Sequence, residues 1–298
     1  MKIVANGVDI EIEDRGGEGR PVVLLVMGLG MQLISWPEPL VDALVAAGYR
    51  VVRLDNRDSG LSQQFDHLGK PNLLWQGLIY RLGLSLRPPY TLHDMALDAV
   101  GVLDTLGIDA AHVMGVSMGG MIAQRMALAA PQRVLSLVSV MSSSGARNLP
   151  PPAPHVLKAL LGRPADSSEA ARIAYAVRLF QLIGSPDFPV PEADWRTRVT
   201  ASMARAYRPA GVVRQMAAIL ADRSRPGALS GLRCPTLVVH GRADALVPFA
   251  CGEDTARRIP GAQLVGIAGM GHDLPPPVVA RVLDALLPFL GRQAAGVH

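Results

Sequence analysis

Six short apolar runs punctuate this chain: "VVLLVMG" (22–28), "YRVVRLD" (49–55), "AHVMG" (111–115), "VLSLVSVM" (134–141), "TLVVHG" (236–241) and "AQLVGI" (262–267). They lack polar alternation, which is the pattern of strands covered on both faces. The N-terminus, "MKIVANGVDIEIED", alternates apolar and polar residues and reads as an edge strand. Between the runs lie helical periods. In "TLHDMALDAVGVLDTLG", Thr91 caps the start with Asp94 at the capping-box position, Leu92, Ala96, Ala99 and Leu103 share a face, and Gly107 stops the helix. Strand and helix in alternation predict a mostly parallel, doubly wound α/β sheet.

The alternation breaks after Met141. "SSSGARNLPPPAP" cannot form a regular element interior, and about seventy residues of helical pattern follow, with helices expected around 170–183, 193–207 and 210–221 and "SPDFPVP" as a loop. The α/β pattern resumes at "LRCPTLVVHG". The expected organisation is a core of residues 1–145 and 229–298 with a helical cap, or lid, at 146–228. A second excursion, residues 63–90, has an apolar middle that fits a short helix. No internal repeat is visible.

Composition narrows the class. The 298 residues are 49% hydrophobic and 18% charged, which suits a globular chain, and 4% aromatic, so Leu, Val, Ala and Met must fill the core. The longest apolar stretch, Pro21 to Met31, is shorter than a membrane span, and the N-terminus lacks the features of a secretory signal, so a cytoplasmic location is expected. Cys234 and Cys251 read as reduced thiols without a role. Residues 146–228 hold twelve Lys or Arg against six Asp or Glu, a local surplus within a net charge of +4. No nucleic-acid module with stacking aromatics accompanies these cations, so they read as solvated arginines on amphipathic helices.

Chemistry enters with "HVMGVSMGGM" (112–121). Gly115, Ser117 and Gly119 form G-x-S-x-G between a buried strand and a helix expected from Met118 to Ala130, the context of a nucleophile elbow. Such a turn would lift the Ser117 hydroxyl above the sheet at a helix N-terminus, where free N–H groups favour negative charge. A serine hydroxyl needs a base to become a nucleophile at neutral pH. "AGMGHDLP" supplies His272 in a loop after the last strand run, whereas His298 is terminal, His112 shares the serine's own strand and His240 ends a buried strand. Asp244 in "HGRADALVP" follows a strand and is placed to accept the second ring N–H of His272. Asp273 adjoins the histidine and points elsewhere, and Asp254, expected within the next helix, is the weaker substitute. The residue after the nucleophile, Met118, contributes one backbone N–H to an oxyanion hole.

The order Ser, Asp, His belongs to the α/β-hydrolases. With "LLVMGLG", "RLDNRDSGLS", "GVSMGGMIAQ" and "GMGHDLP", the chain resembles serine esterases of that superfamily, closest in motifs to aclacinomycin methylesterase-like carboxylic-ester hydrolases. The resemblance covers nearly the whole chain. It implies an α/β-hydrolase fold, a small-molecule ester substrate, an acyl-enzyme intermediate and no metal or organic cofactor. It also implies that the backbone N–H of Leu29 is the second oxyanion donor. Met27-Gly28 stands where the family more often has His-Gly, which keeps that donor but removes a side chain that braces the loop. Asp55 and Arg57, in the family's D-x-R-x-x-G-x-S loop, are read as a local charge network, and Met27, Met31, Met118, Met121 and Met141 as core packing. Other serine chemistries on this fold stay open: lactone opening, cofactor-free perhydrolysis and C–C bond hydrolysis. So does a non-catalytic binding module. Epoxide hydrolases and haloalkane dehalogenases carry aspartate where this chain has Ser117.

Overall fold

The computed structural model describes residues 1–82 and 84–294; residue 83 and residues 295–298, which include His298, lie outside the described residues. The alternating N-terminus and the six apolar runs form the strands: β1 (Lys2–Ala5), β2 (Val8–Arg15), β3 (Val22–Val26), β4 (Arg50–Leu54), β5 (Ala111–Val116), β6 (Val134–Val140), β7 (Thr236–Gly241) and β8 (Gln263–Ile267). They form one sheet in the order β1-β2-β4-β3-β5-β6-β7-β8, parallel from β4 to β8 and antiparallel at the β1–β2–β4 edge.

The helices are α1 (Glu38–Ala46), α2 (Leu73–Arg81), α3 (Leu92–Thr105), α4 (Met118–Ala129), α5 (Pro154–Leu160), α6 (Glu169–Ile183), α7 (Glu192–Arg205), α8 (Pro209–Ala221), α9 (Arg225–Ala228), α10 (Phe249–Arg258) and α11 (Pro276–Ala294). Strand β3 shows why its sequence is apolar throughout. Val22, Leu24 and Val26 join a cluster with residues of α3 and α4, while Val23 and Leu25 join a second cluster with α1 and α11. Alternate side chains thus serve opposite helical layers, so neither face of the strand can be polar. Met27, Met118, Met121 and Met141 are buried in these two clusters and Met31 packs against the second.

Helix α3 starts on the expected capping box: Thr91 Oγ1 accepts from the Asp94 N–H at 3.1 Å and Asp94 Oδ2 accepts from the Thr91 N–H at 2.8 Å. The parallel register brings Val26 beside both Leu54 and Gly115, Val116 beside Val140, and Gly241 beside Ile267. The loops after β3, β5, β7 and β8 therefore leave the same edge of the sheet, the usual site of function in an open parallel sheet.

One feature differs from expectation and two refine it. The N-terminus is a hairpin rather than one edge strand, because Asn6 and Gly7 both adopt positive φ (52° and 73°) and fold the chain back in a tight turn. Helix α5 begins on Pro154, the last residue of the stretch read as loop, with that proline at its first turn, where a missing N–H costs nothing. The apolar middle of residues 63–90 does form a helix, α2, and it packs on α8.

The helices between β6 and β7 have a small apolar cluster of their own, built on Ile173, Val177, Trp195 and Val199. Several of their cations are not solvated. Arg214 and Arg225 are each 1% exposed, which corrects the reading of the basic segment as freely hydrated arginines. Arg214 makes a two-pronged ion pair with Asp58 at 2.7 Å on both arms, and Arg205 pairs with Asp55 at 2.7 Å. Arg225 reaches Asp222, Gln124 and the Ser143 carbonyl. Arg205 and Arg214 thus join α7 and α8 to the loop after β4, and Arg225 joins α9 to α4 and to the loop after β6.

Candidate active site

Ser117 sits between β5 and α4 with φ 55° and ψ −120°, a conformation that a residue with a Cβ adopts only where its surroundings enforce it. The surroundings are crowded backbone. A Cβ on Gly115 would strike the Gly119 carbonyl, one on Gly119 the Val26 carbonyl, and one on Gly120 would lie 2.6 Å from the Ser142 side chain. The Ser117 N–H donates to the Val140 carbonyl at 2.9 Å, and the Ser142 hydroxyl donates to the Ser117 carbonyl at 2.7 Å. Serine at a helix start ordinarily caps the helix with its own hydroxyl. Here it does not, and Oγ is left for another partner.

That partner is His272, whose Nε2 lies 3.0 Å from Ser117 Oγ; its Nδ1 lies 2.7 Å from Asp244 Oδ2. With the ring proton on Nδ1, that nitrogen donates to Asp244 and Nε2 accepts from the serine hydroxyl. The carboxylate is fixed in turn. Asp244 Oδ1 accepts the N–H groups of Leu246 and Val247 at 2.9 and 2.8 Å, and its side chain is fully buried. Residues 155 and 28 positions apart in sequence are thus in direct hydrogen-bond contact.

The other histidines lie elsewhere. His240 donates from Nε2 to the Val247 carbonyl at 2.7 Å, Nε2 stands 3.6 Å from Asp244, and burial holds the ring below the ordinary imidazole pKa. His112 bonds Ser136 within the sheet, and burial pushes its pKa down to about 4. Asp254 is within α10, bound to Ser144, Arg257 and Arg258, and so is not brought to His272. Asp273 turns to Ser185, away from its neighbouring histidine's ring.

The loop after β3 runs directly over the serine: a Cβ on Gly28 would lie 3.2 Å from Ser117 Cβ. It is held from three sides. Asn56 Nδ2 donates to the Met27 carbonyl at 2.8 Å, the Leu33 N–H donates to Asp55 at 2.7 Å, and the Gly30 N–H donates to Gln215 Oε1 at 2.8 Å. Gln215 also donates to the Arg57 carbonyl and to Ser59, so one fully buried amide on α8 ties both loops together. Asn56 and Gln215 brace a loop in which Met27 replaces the commoner histidine. Arg57 itself is engaged by Asp98 at 2.6 and 2.7 Å, the local charge network anticipated from sequence. Met118 directly follows the serine, Leu29 follows Gly28 in the loop above it, and among the described residues neither N–H is engaged by a hydrogen-bond acceptor.

The histidine loop is held by residues that the sequence did not single out. The His272 N–H donates to the Ile183 carbonyl at 2.7 Å. Ser185 Oγ accepts from the Gly271 N–H at 2.9 Å and donates to Asp273 Oδ1, which also accepts the Ser185 N–H at 2.9 Å. For Arg214 and Gln215 a signal existed: both fall on α8 beside the buried positions Gly211 and Ala218. For Ser185, in a proline-flanked loop, none did. Among the described residues no group of three or more His, Cys, Asp or Glu could hold a metal ion, and no helix is long and apolar enough to cross a membrane.

Comparison with known proteins gives the geometry a context. A model of the alpha/beta hydrolase fold matches residues 21–275. Rhodomycin D methylesterase of Streptomyces peucetius is 29% identical over 292 residues, covering 92% of either chain. A 2-hydroxy-6-oxononadienedioate/2-hydroxy-6-oxononatrienedioate hydrolase of Cupriavidus pinatubonensis is 30% identical over 260 residues, or 86% of this chain and 82% of the relative. Among solved structures, the enol-lactonase from Burkholderia xenovorans superposes with a TM-score of 0.73 at 21% identity, covering 98% of this chain and all of the other, a likeness of fold alone.

Proposed function

The chain belongs to the alpha/beta hydrolase family, and on that premise we propose that it is a serine hydrolase of carboxylic esters with Ser117, His272 and Asp244 as its catalytic residues. The observation that carries this reading is the unbroken line of two short hydrogen bonds, Ser117 Oγ to His272 Nε2 and His272 Nδ1 to Asp244 Oδ2. Ser117 Oγ attacks the ester carbonyl while His272 Nε2 takes its proton. Asp244 keeps the imidazole in the productive tautomer and stabilises the imidazolium that forms. The carbonyl oxygen, now anionic, is met by the N–H groups of Met118 and Leu29, each donor contributing about 3–4 kcal/mol to the transition state by the usual measure. His272 then protonates the departing alcohol and an acyl ester remains on Ser117. Water, deprotonated by the same ring, releases the acid. No step calls for a metal or organic cofactor.

In this reading residues 146–228 are a lid over a core of residues 1–145 and 229–298, and the ester is a small molecule taken up between them. Methyl esters head the substrates to assay, because the Streptomyces relative is named for methylester cleavage. A second reading, hydrolysis of a C–C bond next to a carbonyl, is supported by the 30% identity to the Cupriavidus hydrolase. Two measurements separate the possibilities. A fluorophosphonate should label one serine per chain, and Ser117→Ala should abolish the label; an unlabelled wild-type protein would refute a serine mechanism. Initial rates on p-nitrophenyl acetate, a lactone and a vinylogous diketone then rank the chemistries, the ester being expected first.

A further inference from the structure

The G-x-S-x-G turn accounts for Gly115 and Gly119, but a third glycine follows at once, and its reason lies just past strand β6. A Cβ on Gly120 would stand 2.6 Å from Ser142 Cβ and 2.7 Å from Ser142 Oγ. Gly120 lies within α4 and has no positive φ, so backbone freedom is not what the position requires, and helix propensity alone would favour alanine. The missing methyl makes room for the Ser142 side chain. A strained turn delivers that side chain: Met141, directly after β6, has φ 41°, a region that residues with a Cβ rarely enter, and its N–H is fastened to the Val239 carbonyl at 2.8 Å.

Ser142 is buried, and its Oγ lies 2.7 Å from the Ser117 carbonyl oxygen. A carbonyl can only accept, so the hydroxyl donates. That carbonyl is one end of the peptide group joining Ser117 to Met118; the other end is the Met118 N–H. The group is planar and trans, so its C=O and N–H point in opposite directions, and whatever fixes the oxygen aims the hydrogen. The N–H groups of Gly120 and Met121 reach the same oxygen at 3.0 and 3.3 Å, from within the helix. Ser142 adds a donor from outside it. Donation to the oxygen also polarises the amide, so its N–H becomes the stronger donor, the cooperativity of hydrogen bonds in series.

We infer that Ser142 is a positioning residue for the oxyanion site, acting through the Ser117–Met118 peptide to aim and polarise the Met118 N–H. Gly120 and Met141 are the glycine and the strained residue that let it reach. The inference rests on the proposed serine mechanism and deepens it: the donor that meets the developing charge is tuned from the buried side of its own peptide.

The test compares wild type with Ser142→Ala in three measurements. They are steady-state kinetics on p-nitrophenyl acetate, inhibition by a trifluoromethyl ketone, whose adduct with Ser117 carries an oxyanion, and inhibition by the matching methyl ketone as a ground-state analogue. In Ser142→Ala, kcat and trifluoromethyl ketone affinity should each fall about fivefold, a modest share of the roughly hundredfold or more lost when an oxyanion donor is removed outright. KM and methyl ketone affinity should stay within about twofold, a split that a general loosening of the pocket would not produce. Gly120→Ala pushes its methyl into Ser142 and should cause the same losses, with the double variant no worse than either single one. Unchanged kcat and trifluoromethyl ketone affinity in Ser142→Ala, equal weakening of both ketones, or additive losses in the double variant would each overturn the inference. Should Gly120→Ala fail to fold, the Ser142→Ala comparison decides alone. A wild-type protein that no fluorophosphonate labels would remove the serine mechanism and this inference with it, whereas a labelled protein with an unaltered Ser142→Ala variant removes only the inference.

Discussion

The main-chain N–H of His272 donates to the carbonyl of Ile183, the last residue of α6, across 2.7 Å. The histidine is thus held by the inserted helices as well as by the sheet, and Ser185, two residues on, adds a hub between Gly271 and Asp273.

Removing that hub should misplace the ring more than it harms substrate binding. Ser185→Ala leaves the Gly271 N–H and one demand of Asp273 unmet, a cost of about 1–3 kcal/mol in a buried setting. Steady-state kinetics on an ester should show kcat reduced about tenfold with KM nearly unchanged. A drop in melting temperature with unaltered kcat would mean that Ser185 serves stability alone.

Changes at the three central residues should follow their roles. Ser117→Ala and His272→Ala are each expected to lower kcat/KM by several orders of magnitude without a large change in thermal midpoint, while Asp244→Asn retains more activity. Wild-type rates in Asp244→Asn would move the search to another carboxylate.

Gln215 tests whether the loop after β3 needs its brace. Gln215→Leu conserves volume but deprives the Gly30 N–H and the Arg57 carbonyl of partners. If the Leu29 N–H stabilises an oxyanion, kcat for ester hydrolysis should fall by about tenfold, corresponding to about 1.4 kcal/mol of transition-state stabilisation. Binding of a non-reactive ester analogue should change little.

Arg214→Met tests the buried pairing. Burial alone would raise the Asp58 carboxyl, yet the two Arg214 bonds, the Phe65 N–H and the Tyr90 hydroxyl outweigh it and hold the group below the usual carboxylate range. Deleting the cation leaves that charge uncompensated, and stability measured by urea titration should fall by about 3–5 kcal/mol. A loss below about 1 kcal/mol would place the pair among those that surface solvent already screens.

His112 gives a pH dependence of fixed sign. Its pKa drops from 6.5 to about 4 in the folded protein because the ring is buried. Below pH 6.5 the unfolded chain takes up a proton that the folded one refuses, so this group's contribution is intact above that pH and is progressively lost as pH falls toward 4. His112→Gln should flatten the slope of stability against pH in that window, whatever it does to the overall level. A slope identical to wild type would show that His112 does not titrate as its burial dictates.

Legibility in the sequence tracked locality. Strand β3 was readable because an unbroken apolar run has few other homes, and α3 because its cap, face and stop lie within seventeen consecutive residues of "TLHDMALDAVGVLDTLG". Ser117 announced itself through the glycines its own turn requires. His272 and Asp244 were legible by position after strands, since parallel topology sends those loops to one edge. The Asn6-Gly7 turn was equally local, but the alternation around it masked the signal. By contrast, Ile183 meets His272 through a main-chain carbonyl, which any residue type could supply. Arg214 resembled a hydrated helix cation until tertiary packing placed Asp58 beneath it.

The final contact of the histidine loop also sets an order of events. Chain emerging from a ribosome delivers the serine turn early and Ile183 next, but the ring that would deprotonate the hydroxyl arrives only with the last strand and its loop. On the proposed mechanism a half-made polypeptide therefore carries an unassisted alcohol, and the base that activates it is supplied only with residue 272, whose N–H donates to Ile183.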